Sequence, residues 1–456
     1  MKKTFMFIAA LFAALFAQAQ EVDGSWSGEL NVGGLSLPLT FHISGSKATM
    51  DSPKQGAMGI ELSPVEYSDG KVTLKSDPMQ MTFTGTLSDD SHISGTFSQA
   101  GFNLPLNLER SEKSGPDRPQ EPQPPFPYRT EEVEFTSAAG DVTLHGTLTI
   151  PDDGQRHPAA VLVTGSGTQN RDEELFGHKP FKVIADYLTR RGIVVLRYDD
   201  REFATGTYDG ATTRDYAADA LGALAFLRSR PEADTARMGV IGHSEGGTIA
   251  FICAAEEPQT EFIVSLAGMT VTGAECLVDQ NRLVLNQAAL INSGVSAAMV
   301  DEICGFVGSV FAGTKGLSAA QIREQAGEII DRAAAAAAHP QYIAPVRDAM
   351  VQTQAEMNEW TAYFIDYDPA ESIGRVGCRV LALNGTKDMQ VSAEANLGRL
   401  EQFDNLSGRL TTRRLEGLNH LFQHCATGSP MEYAQIEETF SAEVLEAIAD
   451  WILAGE

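Results

Sequence analysis

One serine in this chain stands where a serine could act as a nucleophile. Ser244 lies in Gly242-His243-Ser244-Glu245-Gly246, with Gly247 behind it, between an apolar strand-like run and a helix-like stretch. In that context G-x-S-x-G describes a turn so tight that the serine takes a strained backbone angle, and the flanking glycines leave room for it. The turn pushes the hydroxyl out at the carboxyl end of the strand, and the following helix aims its first N–H groups at the same point. A serine hydroxyl near its free pKa is a poor nucleophile and needs a base. Among nine histidines, His420 in Gly417-Leu418-Asn419-His420 follows the last strand-like segment, as the chain order serine, acid, histidine requires. His424 is the rival; on a helix the two would share a face and suggest a metal pair, but no carboxylate at metal spacing accompanies them. Asp388, in the loop Asn384 to Val391, is the carboxylate that would fix the tautomer of the base. Asp404, its nearest competitor, falls late in a predicted helix.

Acyl transfer also needs two backbone N–H groups facing the developing oxyanion. One is that of Glu245, directly after the nucleophile, and the other that of Ser166 in Thr164-Gly165-Ser166-Gly167, where the two glycines allow close approach of the backbone. The Glu245 side chain reads as a structural hydrogen-bonding group.

These residues need a scaffold, and the pattern from Tyr128 onward supplies one. Apolar strands at 142–150, 159–163, 193–197, 238–241 and 262–266 alternate with helices at 181–191, 213–230 and from Ser244 to about 255. Such alternation implies a mainly parallel sheet with helices on both faces. It stops at about 272–372, an Ala-rich helical block containing the Ala333 to Ala338 run, which reads as a cap over the active-site end. Strands resume at 379–383 and 409–415, and a last amphipathic helix is predicted over 433–453. Asp199 and Arg201 are expected to form a structural ion pair.

Residues 20–110 differ. Short alternating runs such as Leu39 to Ile43 and Met81 to Leu87, separated by turn clusters, predict an all-β domain. Gly28 to Phe41 aligns without gaps to Gly95 to Leu108, each a strand, a glycine turn and Leu-Pro-Leu. Closure into a small barrel or sandwich would remove the exposed edges. Residues 111–127, with six prolines among polar residues, predict a stiff linker. Residues 1–19, with Lys2 and Lys3, an apolar run Phe5 to Phe16 and Ala17-Gln18-Ala19, read as a signal peptide. No other segment reads as membrane-spanning, which predicts an exported protein, periplasmic or secreted, without a membrane anchor after cleavage. The five cysteines fit no zinc pattern; they read as buried thiols, with a Cys276–Cys304 bridge as the alternative. The formal charge of −27 argues against nucleic acid and disfavours anionic lipid.

Taken together, Thr164 to Glu173, Arg197 to Arg201, Gly242 to Gly247, Asn384 to Asp388 and Gly417 to Gln423 resemble the bacterial α/β-hydrolase esterases related to the serine aminopeptidase and prolyl oligopeptidase-like groups. The resemblance covers nearly all of residues 128–456 and none of 21–110. It implies a carboxylesterase acting on short acyl esters through an acyl-enzyme, with a small-molecule ester substrate and no cofactor or metal. Two departures stand out: Thr164 replaces the usual histidine of the oxyanion loop, and Glu202 to Gly206 replaces a Gly-x-Gly turn after Arg201. An exported serine aminopeptidase, or a glycan- or partner-binding protein dominated by its β domain, remain the alternatives; the oligomeric state is left open.

Overall fold

A computed structural model of the chain describes residues 22–455 apart from 33, 34, 46, 56, 69, 90, 100, 112–116, 208, 209 and 292–294. The expected signal peptide lies outside the described residues. Two units are resolved, one reaching to Asp117 and including Pro430–Glu437, the other comprising Arg118–Ser429 and Glu438–Glu456.

The first unit is an antiparallel sheet of β1 (Gly24–Val32), β2 (Leu35–Ser44), β3 (Lys47–Ser52), β4 (Ala57–Glu61), β5 (Glu66–Ser68), β6 (Lys71–Ser76), β7 (Met81–Asp89), β8 (His92–Gln99) and β9 (Phe102–Ser111). Their order is β4-β3-β2-β1-β9-β8-β7-β6-β5, with β4 and β5 as its two ends. The internal repeat is a structural one: Gly28 pairs with Leu39 and Gly95 with Leu106, at the same offset in the two hairpins β1–β2 and β8–β9. Alternation puts Trp26, Phe41, Met50, Leu74 and Phe83 into one buried cluster. On strand positions of the other parity, Ser25 meets His42 Nδ1 at 2.8 Å and His42 Nε2 meets Asp51 at 2.8 Å. Ser25 lies near the start of β1, paired on both sides, so this row is a cross-strand clasp.

In the second unit the sheet contains β10 (Tyr128–Thr136), β11 (Thr143–Pro151), β12 (His157–Val163), β13 (Val194–Tyr198), β14 (Ala233–His243), β15 (Phe262–Leu266), β16 (Arg379–Gly385) and β17 (Leu410–Leu415). The order is β10-β11-β13-β12-β14-β15-β16-β17. Pairing is antiparallel from β10 to β13 and parallel from β13 through β17. Residues of β12 alternate between two cores: Ala159, Val161 and Val163 face one, Ala160 and Leu162 the other. The first core is completed by α3 (Thr213–Ser229), α4 (Glu245–Glu256) and α11 (Ala393–Leu400), and the second by α1 (Pro180–Arg190) and α12 (Ala442–Ala454). A short helix, α2 (Arg201–Thr205), fills the departure after Arg201 and ends at Gly206 in the left-handed region, φ 67°. Covering both faces explains why these strands read as near-continuous apolar runs.

Between β15 and β16 lies the helical block: α5 (Gly273–Ile291), α6 (Ala297–Thr314), α7 (Ala319–Ala335), α8 (Pro340–Ala355), α9 (Glu359–Asp366) and α10 (Ala370–Ile373). Ser318 and Gln321 form a capping box at α7, and Asn358 caps α9 through the Thr361 N–H at 2.8 Å. Contrary to the membrane expectation, α6 is long and apolar enough to cross a bilayer. Its Ile303, Phe306, Val307 and Val310 are spent instead on the core of the cap.

Three other expectations need correction. Residues from Arg118 onward are not a free spacer: Arg118 donates to the carbonyls of Phe176 and Gly177, and Gln120 Oε1 accepts from the Thr439 and Phe440 N–H groups. Its polar side chains find partners that composition alone does not reveal. The last helix starts at Ala442 rather than 433, because those N–H groups and the Glu438 carboxylate, which binds the His424 N–H and ring, are held elsewhere. Asp199 and Arg201 do not pair. They point apart at the end of β13, Asp199 toward Arg171 and Arg201 toward Asp219 and Asp141. The cysteines follow the expectation of buried thiols at Cys253, Cys276 and Cys304, with Cys378 and Cys425 half-buried, and Cys276 and Cys304 are unbridged; burial pushes the Cys276 thiol up to about 12.

Candidate active site

Ser244 follows β14 directly and opens α4, with φ 53° and ψ −119°. A non-glycine residue persists in that region only where its surroundings over-determine it, and here the glycines do so. A Cβ on Gly242 would stand 1.9 Å from the Gly246 carbonyl oxygen, one on Gly246 2.1 Å from that of Val163, and one on Gly247 2.5 Å from Gly268 Cα. The turn therefore packs backbone against backbone. Gly165 lets the loop after β12 come alongside: its Cβ would lie 3.1 Å from Ser244 Cβ.

Asp388 and His420 leave the carboxyl ends of β16 and β17, on the same edge of the sheet as Ser244. His420 Nδ1 lies 2.8 Å from Asp388 Oδ2, with the histidine 4 % and the aspartate 5 % exposed. Asp388 Oδ1 accepts from the Gln390 and Val391 N–H groups, each at 2.8 Å. With Nδ1 engaged, Nε2 is the ring nitrogen left to accept a proton. His424 turns instead to Glu438, and Asp404 is exposed on a short 3-10 turn, Asp404–Leu406.

Two residues that the sequence reading passed over tie this edge together. His243 Nδ1 lies 2.9 Å from Glu173 Oε1, its Nε2 3.0 Å from the His420 carbonyl oxygen, and its ring 4.7 Å from that of His420. Both ring nitrogens face acceptors. Burial alone would lower the His243 pKa, but the Glu173 carboxylate and the His420 carbonyl together hold it above the ordinary histidine value. Glu173 Oε1 also accepts from the Gly165 N–H at 2.8 Å, which leaves the next N–H in that loop, that of Ser166. The only sequence signal for Glu173 was its place in the acidic run after Gly165. Thr164, at the position of the missing histidine, donates to Asp200 at 3.0 Å, and Asp200 also accepts from the Gln169 N–H at 2.7 Å. Burial pushes the Asp200 carboxyl well above the usual range.

The Glu245 carboxylate is 2 % exposed. It accepts from Thr213 Oγ1 at 2.7 Å and from Trp360 Nε1 at 3.0 and 3.2 Å. Burial raises its pKa against the pull of these donors. Trp360, which sequence reasoning also missed, comes from cap helix α9.

The chain is similar to several known proteins. An esterase, EstD, of Thermotoga maritima is 29% identical over 236 residues, 51% of this chain and 52% of its own. The polyketide transferase claH of Penicillium crustosum is 30% identical over 140 residues, 30% of this chain and 43% of its own. The chain thus spans about half the length of the curated relatives it matches. Among solved structures, the Pyrococcus furiosus esterase Pf2001 aligns at 14% identity and TM-score 0.42 over 75% of this chain and 98% of that one. Dienelactone hydrolase of Anabaena variabilis aligns at 15% and 0.38 over 72% and 98%. The family model described as X-Pro dipeptidyl-peptidase (S15 family) matches residues 139–425. That match runs through every strand from β12 to β17, the helical block, and Ser244, Asp388 and His420, and covers more than half of the chain, so the protein belongs to the X-Pro dipeptidyl-peptidase (S15) family.

Proposed function

We propose that this protein is an exported serine carboxylesterase that cleaves short-chain acyl esters through an acyl-enzyme. The observation that carries the reading is the His420–Asp388 contact of 2.8 Å at the sheet edge where Ser244 sits in a strained turn. His420 Nε2 takes the Ser244 proton as the hydroxyl oxygen attacks the ester carbonyl, and Asp388 stabilises the imidazolium that forms. The Glu245 and Ser166 N–H groups hold the oxyanion; the C–O bond to the alcohol then breaks and His420 returns the proton to it. Water, deprotonated by the same imidazole, releases the acid and frees Ser244. The esterase among the relatives supports an ester substrate.

Family membership favours one other reading, an exported serine peptidase, since the same residues can expel an amine. Aryl acetates assayed beside aminoacyl and X-Pro anilides distinguish the two, and turnover confined to the anilides would overturn the esterase reading. In either case Ser244→Ala is expected to lower turnover by about 10⁶. Fluorophosphonate label is expected on the peptide containing Ser244; label elsewhere, or a Ser244→Ala variant that keeps most of its rate on p-nitrophenyl acetate, removes the nucleophile from the scheme.

A further inference from the structure

In the acyl-transfer scheme Glu245 contributes only its backbone N–H, yet its side chain is buried and held by donors from two separate elements: Thr213 from the start of α3, and Trp360 from cap helix α9. The carboxylate is therefore a joint between one oxyanion donor, the Glu245 N–H, and the cap. Thr213 is fixed from below, at a helix start closed by a Thr212–Asp215 capping box. Trp360 is partly exposed, stacked on Phe364 at 5.0 Å between centroids. Phe364 in turn packs on the cluster of Met269, Cys276 and Val391, and Val391 supplies one of the N–H groups that hold Asp388. The indole is thus the contact through which the placement of the cap reaches the oxyanion hole.

We infer that Trp360 is a positioning residue: its indole N–H holds the Glu245 carboxylate so that the Glu245 N–H converges with that of Ser166 on the oxyanion, which makes turnover depend on the cap. This rests on the serine-hydrolase reading above. A donor lost from a buried carboxylate lets it shift on its remaining partner, Thr213, and a small misplacement of an oxyanion donor is expensive in rate while leaving the ground state untouched.

The test uses the full-length protein, first shown by fluorophosphonate mapping to be labelled at Ser244; failure there sinks the underlying reading and not this one. Trp360→Phe keeps an aromatic ring and removes the N–H; Thr213→Val keeps the branched shape and removes the other donor hydroxyl. Each is expected to lower kcat on an aryl ester by about 10- to 100-fold with KM changed little. A trifluoromethyl ketone, which adds to serine as a tetrahedral oxyanion, should lose affinity by the same factor as kcat/KM, while a planar, unreactive amide analogue binds as before. The double variant should fall short of the product of the two single effects, because both act through one carboxylate. Equal weakening of the two inhibitors makes Trp360 a pocket wall, and fully multiplicative losses or an unchanged kcat also overturn the proposal. Should Trp360→Phe fail to fold, Thr213→Val, which removes the other donor to the same carboxylate, carries the same split between the two inhibitors.

Discussion

His243 is chemically the most constrained side chain near the nucleophile. Glu173 and the His420 carbonyl both require a proton on the ring nitrogen facing them, so the fold selects the imidazolium. Because its folded pKa lies above the ordinary 6.5, its contribution to stability is complete below that value and is lost as the pH rises through the raised one. Wild-type protein should therefore lose urea resistance as the pH climbs above neutrality, and His243→Gln should flatten that slope. Equal slopes in the two proteins would show that the ring is not charged. Asp388 offers a second residue-level test. Its Oδ1 is fixed by two backbone N–H groups, so in Asp388→Asn the amide oxygen must stay there and the NH₂ must face His420 Nδ1. That forces the proton onto Nε2, the tautomer that cannot accept one from Ser244. Turnover should drop by about 10⁴ with the fold intact, read from kcat and from the thermal midpoint.

Among elements, the turn joining β14 to α4 has no slack. Gly242→Ala places a methyl group 1.9 Å from a backbone oxygen that belongs to the same turn. It should cost more than about 4 kcal/mol and abolish labelling at Ser244. Gly398→Ala is the contrasting case: it lies inside α11, and a Cβ there meets nothing within 4 Å. It should stabilise by about 0.5–1 kcal/mol and leave labelling as it was. The same chemical change with opposite signs at two sites separates a backbone-packing glycine from a merely tolerated one, and unfolding midpoints measure both. The cap helices follow a similar logic of context: the apolar run of α6 is spent on neighbours within the cap, not on lipid.

Over the whole molecule, the four large buried clusters among the described residues fall into two sets that share no residues. One lies within the β-sheet unit, and the other three lie in the second unit, two on the faces of the parallel sheet and one in the helical block. Each unit closes its own core, which predicts two calorimetric transitions. Diethyl phosphonate bound covalently at Ser244 should raise only one of them, since every residue of the candidate site lies in the unit comprising Arg118–Ser429 and Glu438–Glu456. A single transition shifted as a whole by the phosphonate would mean that the units unfold together.

The sequence by itself determined the elements whose signals are local. The period of the apolar residues marked the strands from β11 to β17 and the helices between them. The glycines around Ser244 marked the turn, and chain order singled out Asp388 and His420, which the fold sets 2.8 Å apart. Tertiary structure alone decided the long-range partners of charged and polar groups. Arg171 rather than Arg201 meets Asp199, Glu173 reaches His243 across 70 residues of chain, and Trp360 reaches Glu245 across 115. The physical reason is one of range. Backbone periodicity and turn chemistry are written within a few residues, whereas a carboxylate takes whichever donor the folded chain brings within about 3 Å, and spacing along the sequence carries no record of that.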